Sequence, residues 1–122
     1  MRGGDRSALG LWGEQQAAQR LEQDGYRILA RRFRCREGEI DLVAAKGAFL
    51  CFVEVKLRKN DRMGQAREFV TRSKQEKLRT AALRYLMEHP SGRQPRFDVV
   101  EVYAPQGEQT RRPVIRHWEN AF

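Results

Sequence analysis

Ala48-Phe49-Leu50-Cys51-Phe52-Val53-Glu54-Val55-Lys56 runs apolar and then sets a carboxylate and an ammonium two positions apart. Five of the six residues before Glu54 are Phe, Leu, Cys or Val, so both alternating faces are apolar, the pattern of an interior strand covered on both sides. Side chains at i and i+2 of a strand share a face, so Glu54 and Lys56 project together. A charged pair closing such a strand is costly to desolvate without partners. One reading is a salt bridge where the sheet meets water. The other is an active site, in which the Glu holds a hard metal ion while the Lys faces the same substrate. Glu-x-Lys alone does not choose between them.

Immediately upstream, Glu39-Ile40-Asp41-Leu42-Val43-Ala44 reads as a second strand, entered by a hairpin turn at Arg36-Glu37-Gly38. Its alternation puts Ile40, Leu42 and Ala44 on one face and Glu39, Asp41 and Val43 on the other. Asp is depleted in strands, so Asp41 in mid-strand calls for a local reason. The short turn Ala45-Lys46-Gly47 makes this strand and the central one neighbours, which lets Asp41 and Glu54 converge. Two carboxylates and a Lys from adjacent strands form a constellation suited to metal and phosphate.

Further out, Leu11, Glu14, Ala18 and Leu21 form the inward stripe of a first helix ending near Gly25. Glu14 sits in that stripe, either facing the core or at its edge with the carboxylate reaching out to water. Residues 26–35 read as a first strand whose outer part carries Arg31, Arg32 and Arg34. Residues 57–71, with Arg58, Lys59, Arg62 and Arg67 among turn formers, read either as a basic loop at the mouth of the site or as an ordinary solvated loop. Ser73 with Glu76 makes a capping box for a second helix running to about His89, with Gln75, Leu78, Ala82 and Tyr85 inward and Lys74 and Lys77 elsewhere on its surface. Strands over 96–103 and 114–118 complete the chain. Helix, three strands, helix, strand predicts an α/β layer structure in which a crossover helix extends an antiparallel hairpin sheet.

The chain has 122 residues, enough for one domain and one core. With 24 Lys and Arg against 16 Asp and Glu, the net charge of +8 favours a polyanionic partner, nucleic acid before membrane, since no amphipathic anchor or long apolar segment is present. Met1-Arg2-Gly3-Gly4-Asp5 lacks the apolar core of a signal peptide, pointing to the cytoplasm. Cys35 and Cys51 have no metal-binding spacing and read as reduced small hydrophobes. His89 and His117 are isolated and read as surface residues.

These residues resemble a known pattern. Asp41, twelve residues, then Glu54-Val55-Lys56 is similar to the PD-(D/E)xK nuclease signature, and the αβββαβ order resembles the restriction-endonuclease-like core, a mixed central sheet flanked by helices. Gly13-Glu14, Gly38-Glu39-Ile40-Asp41-Leu42, Phe52-Val53-Glu54-Val55-Lys56, Lys74-Gln75 and Arg96-Phe97-Asp98-Val99-Val100 together resemble the YraN family, bacterial relatives of the archaeal Holliday-junction resolvases. Two departures stand out: Arg32 occupies a position where that family carries Asn, and no Pro precedes Asp41.

The resemblance implies that Asp41, Glu54 and the Val55 carbonyl bind Mg²⁺ or Mn²⁺, that Lys56 orients or activates the attacking water, that Glu14 is a metal-shell or second-metal group, and that Gln75 positions water or substrate. Glu39 and Asp98 match the family motifs too, and for them a salt-bridging or hydrogen-bonding role stands level with a role in the site. The expectation is a Mg²⁺-dependent endonuclease hydrolysing phosphodiester bonds in DNA, with branched or junction DNA suiting a two-fold homodimer. Phosphate contacts fall to Arg31, Arg32, Arg34, Arg58, Lys59, Arg62, Arg67, Lys74 and Lys77. The alternative is a non-catalytic nucleic-acid-binding subunit that keeps the fold. A structural protein with an idle basic face leaves Glu14, Asp41, Glu54, Lys56 and Gln75 without a common explanation.

Overall fold

In the computed structural model, which describes residues 7–59 and 70–122, the chain runs helix α1 (Ala8–Gln23), strands β1 (Arg27–Cys35), β2 (Gly38–Lys46) and β3 (Phe49–Arg58), helix α2 (Arg72–Glu88), strand β4 (Gln94–Tyr103), a 3₁₀ turn (Gly107–Gln109) and strand β5 (Val114–Trp118). The five strands form one sheet in sequence order. Only β3 and β4 pair in parallel; the other neighbours are antiparallel. This is the expected mixed α/β arrangement with an αβββαβ core, and α2 is the crossover that a parallel pair requires. No helix among the described residues is long and apolar enough to cross a membrane.

From Leu50 to Val53 the apolar run of β3 is buried on both faces, as its pattern predicts, while Phe49 at its start is exposed. Cys51 and Val53 join Ala17, Ala18 and Leu21 of α1, whereas Leu50 and Phe52 join Leu78, Ala81, Ala82 and Tyr85 of α2. Sheet and helices thus make two core layers, with β3 and the facing part of β4 in both.

Helix α1 is rotated from the expected stripe. Gly13, Ala17, Ala18 and Leu21 face inward, while Leu11 is 49% exposed. Small residues win because the helix lies close to β3: a Cβ on Gly13 would stand 3.0 Å from the Leu57 side chain. The helix closes in a Schellman motif, Tyr26 N–H donating to the Leu21 carbonyl at 2.9 Å and Gly25 N–H to Glu22 at 3.0 Å, with Gly25 at φ 94°. The expected capping box of α2 is also corrected. Thr71, in extended conformation, is the N-cap, and its Oγ1 accepts from the Lys74 N–H at 3.1 Å, leaving Ser73 inside the first turn.

Strand β2 departs from simple alternation. Leu42 and Ala44 pack on the α1 side and Val43 and Ala45 on the α2 side, yet Ile40 belongs with the α2 cluster rather than with Leu42. The change of face falls at Asp41, and its β1 counterpart explains it: Arg32, between the pairs Arg31 with Leu42 and Phe33 with Ile40, has a left-handed backbone at φ 53°. Pairing between β2 and β3 runs from Lys46 with Phe49 to Leu42 with Val53. Beyond it, the Asp41 carboxylate itself takes the Val55 N–H, at 2.8 Å.

Candidate active site

The bend at Asp41 opens the end of the sheet between the two helices into a cleft of about 440 Å³. Its walls come from every layer: Gly10 and Glu14 of α1, Glu37, Gly38, Glu39 and Asp41 of the β1–β2 hairpin, Glu54, Val55, Lys56 and Leu57 of β3, and Lys74, Lys77 and Leu78 of α2. A second cavity, lined by Arg34, Arg36 and Lys77 together with Glu37, Gly38 and Glu39, continues it along the hairpin.

Within the cleft, Glu54 is almost fully buried, and its Oε2 lies 3.5 Å from Lys56 Nζ and 3.4 Å from Lys74 Nζ. Asp41 is held differently. Burial pushes its carboxyl well above the usual carboxylate range, the charge of Glu54 adds to this, the Val55 N–H opposes it, and Glu14 raises it further against the pull of Lys74. The native state therefore binds this proton more readily than the unfolded chain does, so the carboxyl's contribution to stability worsens as pH rises through its range. Asp41→Asn, which keeps an oxygen for the Val55 N–H, is accordingly expected to raise the melting temperature of the metal-free protein at neutral pH. A fall in that temperature would mean that Asp41 is satisfied by its partners rather than opposed by its neighbours.

Glu14, Asp41, Glu54, Val55 and Lys56 all line the cleft, as do Lys74 and Lys77. Gln75 does not; its side-chain amide donates to the Val70 carbonyl at 2.9 Å. Arg31 and Arg34 are exposed on β1, Arg34 standing 3.8 Å from Glu39. Arg32 donates from Nε to Glu14 Oε1 at 2.8 Å. Arg58 reaches across the sheet to Glu101, at 3.2 Å, and Lys59 is exposed. Arg62 and Arg67 lie outside the described residues.

Two features were hidden from sequence reading. Glu101 is fully buried in mid-strand and accepts from Tyr103 Oη and Trp118 Nε1, each at 2.8 Å. His117 is not a surface residue: its Nε2 bonds Asp98 at 2.7 Å within a nearly closed polar cluster. The available signal for both was a carboxylate in an otherwise apolar strand, the argument that singled out Asp41.

A profile of the family described as "Uncharacterised protein family UPF0102" matches residues 13–102, a span holding every carboxylate of the cleft. The chain belongs to the UPF0102 family. It is 43% identical over 118 residues to a UPF0102 protein of Pelotomaculum thermopropionicum, covering 96% of this chain and 97% of that protein. To UPF0102 proteins of Frankia alni and Rhodococcus jostii it is 44% identical over 118 residues, covering 96% and 94% of this chain and 96% of each relative.

The donor set of this UPF0102 cleft suits a hard divalent ion. Mg²⁺ takes one or two carboxylates and keeps several waters, and Asp41, Glu54 and the Val55 carbonyl offer hard oxygens of that kind. After burial, the charge of Glu54 contributes most to raising the proton affinity of Asp41, and a cation would relieve that part of it. Among the described residues no group of three or more His, Cys, Asp or Glu side chains is arranged to hold a metal ion.

Proposed function

We propose that this UPF0102 protein is a metal-dependent endonuclease of the PD-(D/E)xK type that hydrolyses phosphodiester bonds in DNA. The observation that carries the reading is the meeting of Asp41, Glu54, Val55 and Lys56 in one cleft beside Lys74, around the bend in β2. Asp41, Glu54 and the Val55 carbonyl would hold a divalent ion, which when bound would lower the pKa of a water and offset charge on phosphate oxygens. The chain's own groups do the rest. Lys56 presents an ammonium to the oxygens on which charge develops and orients the attacking water, and its contact with Glu54 keeps it turned to the cleft. Lys74 and Lys77 receive flanking phosphates from α2, and Arg34 extends that track along the hairpin.

The test is a cleavage screen with Mg²⁺ or Mn²⁺ over four-way junctions, flaps, linear duplex, single-stranded DNA and RNA, with Asp41→Ala as the blank. Affinity for DNA is expected to fall steeply with salt, because the basic groups meet phosphates, with a log-log slope of roughly −0.9 for each phosphate neutralised on duplex. Anisotropy titrations giving equal affinity at low and high salt would leave the +8 charge unexplained by nucleic acid.

A second reading, a nucleic-acid-binding subunit without catalysis, is favoured by one observation. Glu54 is ion-paired on both sides, to Lys56 and Lys74, as a purely structural carboxylate would be.

A further inference from the structure

Glu14, which lines the cleft, forms an ion pair with Arg32 that the chemistry above does not use. Arg32 Nε meets Glu14 Oε1 at 2.8 Å, and the two side chains are only 15% and 12% exposed. A bond of this kind between a guanidinium and a carboxylate is short and strong where water is scarce. Arg32 is also one of two non-glycine residues among those described with positive φ, the other being Asn120. Asn tolerates that conformation through its short polar side chain; an arginine has no such local compensation. Backbone strain of this sort persists when surrounding structure demands it, and here it sits opposite Asp41 at the bend that opens the cleft.

We infer that Arg32 withholds Glu14 from the metal shell, so that the cleft takes one divalent ion, on Asp41 and Glu54, and not two. The inference rests on the metal-dependent reading above. Glu14 lines the same cleft as Asp41 and Glu54, together with Glu37 and Glu39 of the hairpin. Its place in that cleft makes Glu14 a candidate ligand for a second ion. Its bond to Arg32 takes up one carboxylate oxygen and supplies a counter-charge, and the fixed guanidinium repels a further cation at that end.

The experiment is calorimetric titration of the purified full chain with Mn²⁺ alone, with no DNA present. Wild type is expected to bind one ion, and Asp41→Ala to bind none. Arg32→Asn suits the left-handed backbone, removes the cation and is too short to reach Glu14, so it is expected either to take a second ion or to bind the first about tenfold more tightly, within the range seen when outer-shell partners change. Arg32→Gly, which fits the same backbone, should behave alike, and adding Glu14→Gln to Arg32→Asn should restore wild-type titration. That reversal separates masking of Glu14 from a merely structural role for Arg32. Two ions in wild type, or Arg32→Asn and Arg32→Gly titrating like wild type or more weakly, overturns the inference alone. A wild type that binds no ion, or binding indifferent to Asp41→Ala, overturns the metal-dependent reading itself.

Discussion

Glu54→Gln is expected to lower DNA cleavage by at least about a hundredfold, more than is usual for a group one shell outside a metal, while DNA binding holds or tightens. The substitution removes a ligand charge, and it also takes a negative charge from a cleft that must admit phosphate. Folding should survive, for a reason visible in the contacts. The two ammonium groups that lose their partner are Lys56 and Lys74, whose side chains are 25% and 44% exposed, so water replaces the carboxylate. Asp41 loses the neighbouring charge that most raises its proton affinity. The melting temperature of the metal-free variant should therefore equal or exceed that of wild type. If Glu54 were a structural carboxylate, the variant would melt lower, and the wild type would cleave nothing.

Asp98→Ala is expected to show the reverse pattern, a large loss of stability with the cleft chemistry intact. None of its partners lines the cleft. Asp98 is fully buried and receives Arg96 through both Nε and Nη2, at 2.9 and 2.8 Å, His117 Nε2 at 2.7 Å and the Asn120 N–H at 3.0 Å. Arg96, itself 10% exposed, donates on to Tyr26 Oη at 2.8 Å. This network ties β4 to the segment after α1 and to the residues following β5. Removing one member of a buried pair costs about 3–5 kcal/mol, which for a domain of this size lowers the melting temperature by roughly 10 °C or more.

The same site sets an acid limit on folding. Burial alone would raise the Asp98 carboxyl, but hydrogen bonds from His117, Arg96 and the Asn120 backbone, with the Arg96 charge, outweigh it and hold the carboxyl below its ordinary range. Between the native and unfolded values the unfolded chain binds more protons, so the stabilisation is complete above the unfolded value near pH 4 and drains away as pH falls through the native one. Urea midpoints across the acid range should drop steeply in wild type and less steeply in Asp98→Ala. Parallel acid limbs would assign the sensitivity to other carboxylates.

The architecture was legible because β3 is apolar on both faces and two helical stretches flank the strands, so layer order followed from pattern alone. The candidate site was legible where chemistry contradicted local preference: a mid-strand Asp41, and Glu54 with Lys56 closing an apolar run, three residues that line one cleft. What escaped depends on close approach and on backbone conformation. The facing of α1 was misjudged because Gly13 and Ala17 pack by being small, which a search for large apolar residues passes over. The alternation of β2 failed at Asp41 because a left-handed residue lies on the neighbouring strand, and Arg32 carries no signal of that conformation. His117 looked isolated in sequence because its partner, Asp98, comes from another strand. The site role of Gln75 came from the resemblance alone, and in the structure its amide donates to the Val70 carbonyl just before that helix.

The central claim is that Asp41, Glu54 and Lys56 act as one metal-dependent hydrolytic centre. It is tested most directly by strand scission with one wild-type preparation, before chelation, after chelation and after Mg²⁺ is restored, with Asp41→Ala alongside and DNA binding monitored throughout. The predicted result is scission that vanishes on chelation, returns with Mg²⁺ and never occurs in Asp41→Ala, although both proteins bind DNA. Binding without scission of any branched, linear or single-stranded substrate, or scission that survives either chelation or Asp41→Ala, would contradict it.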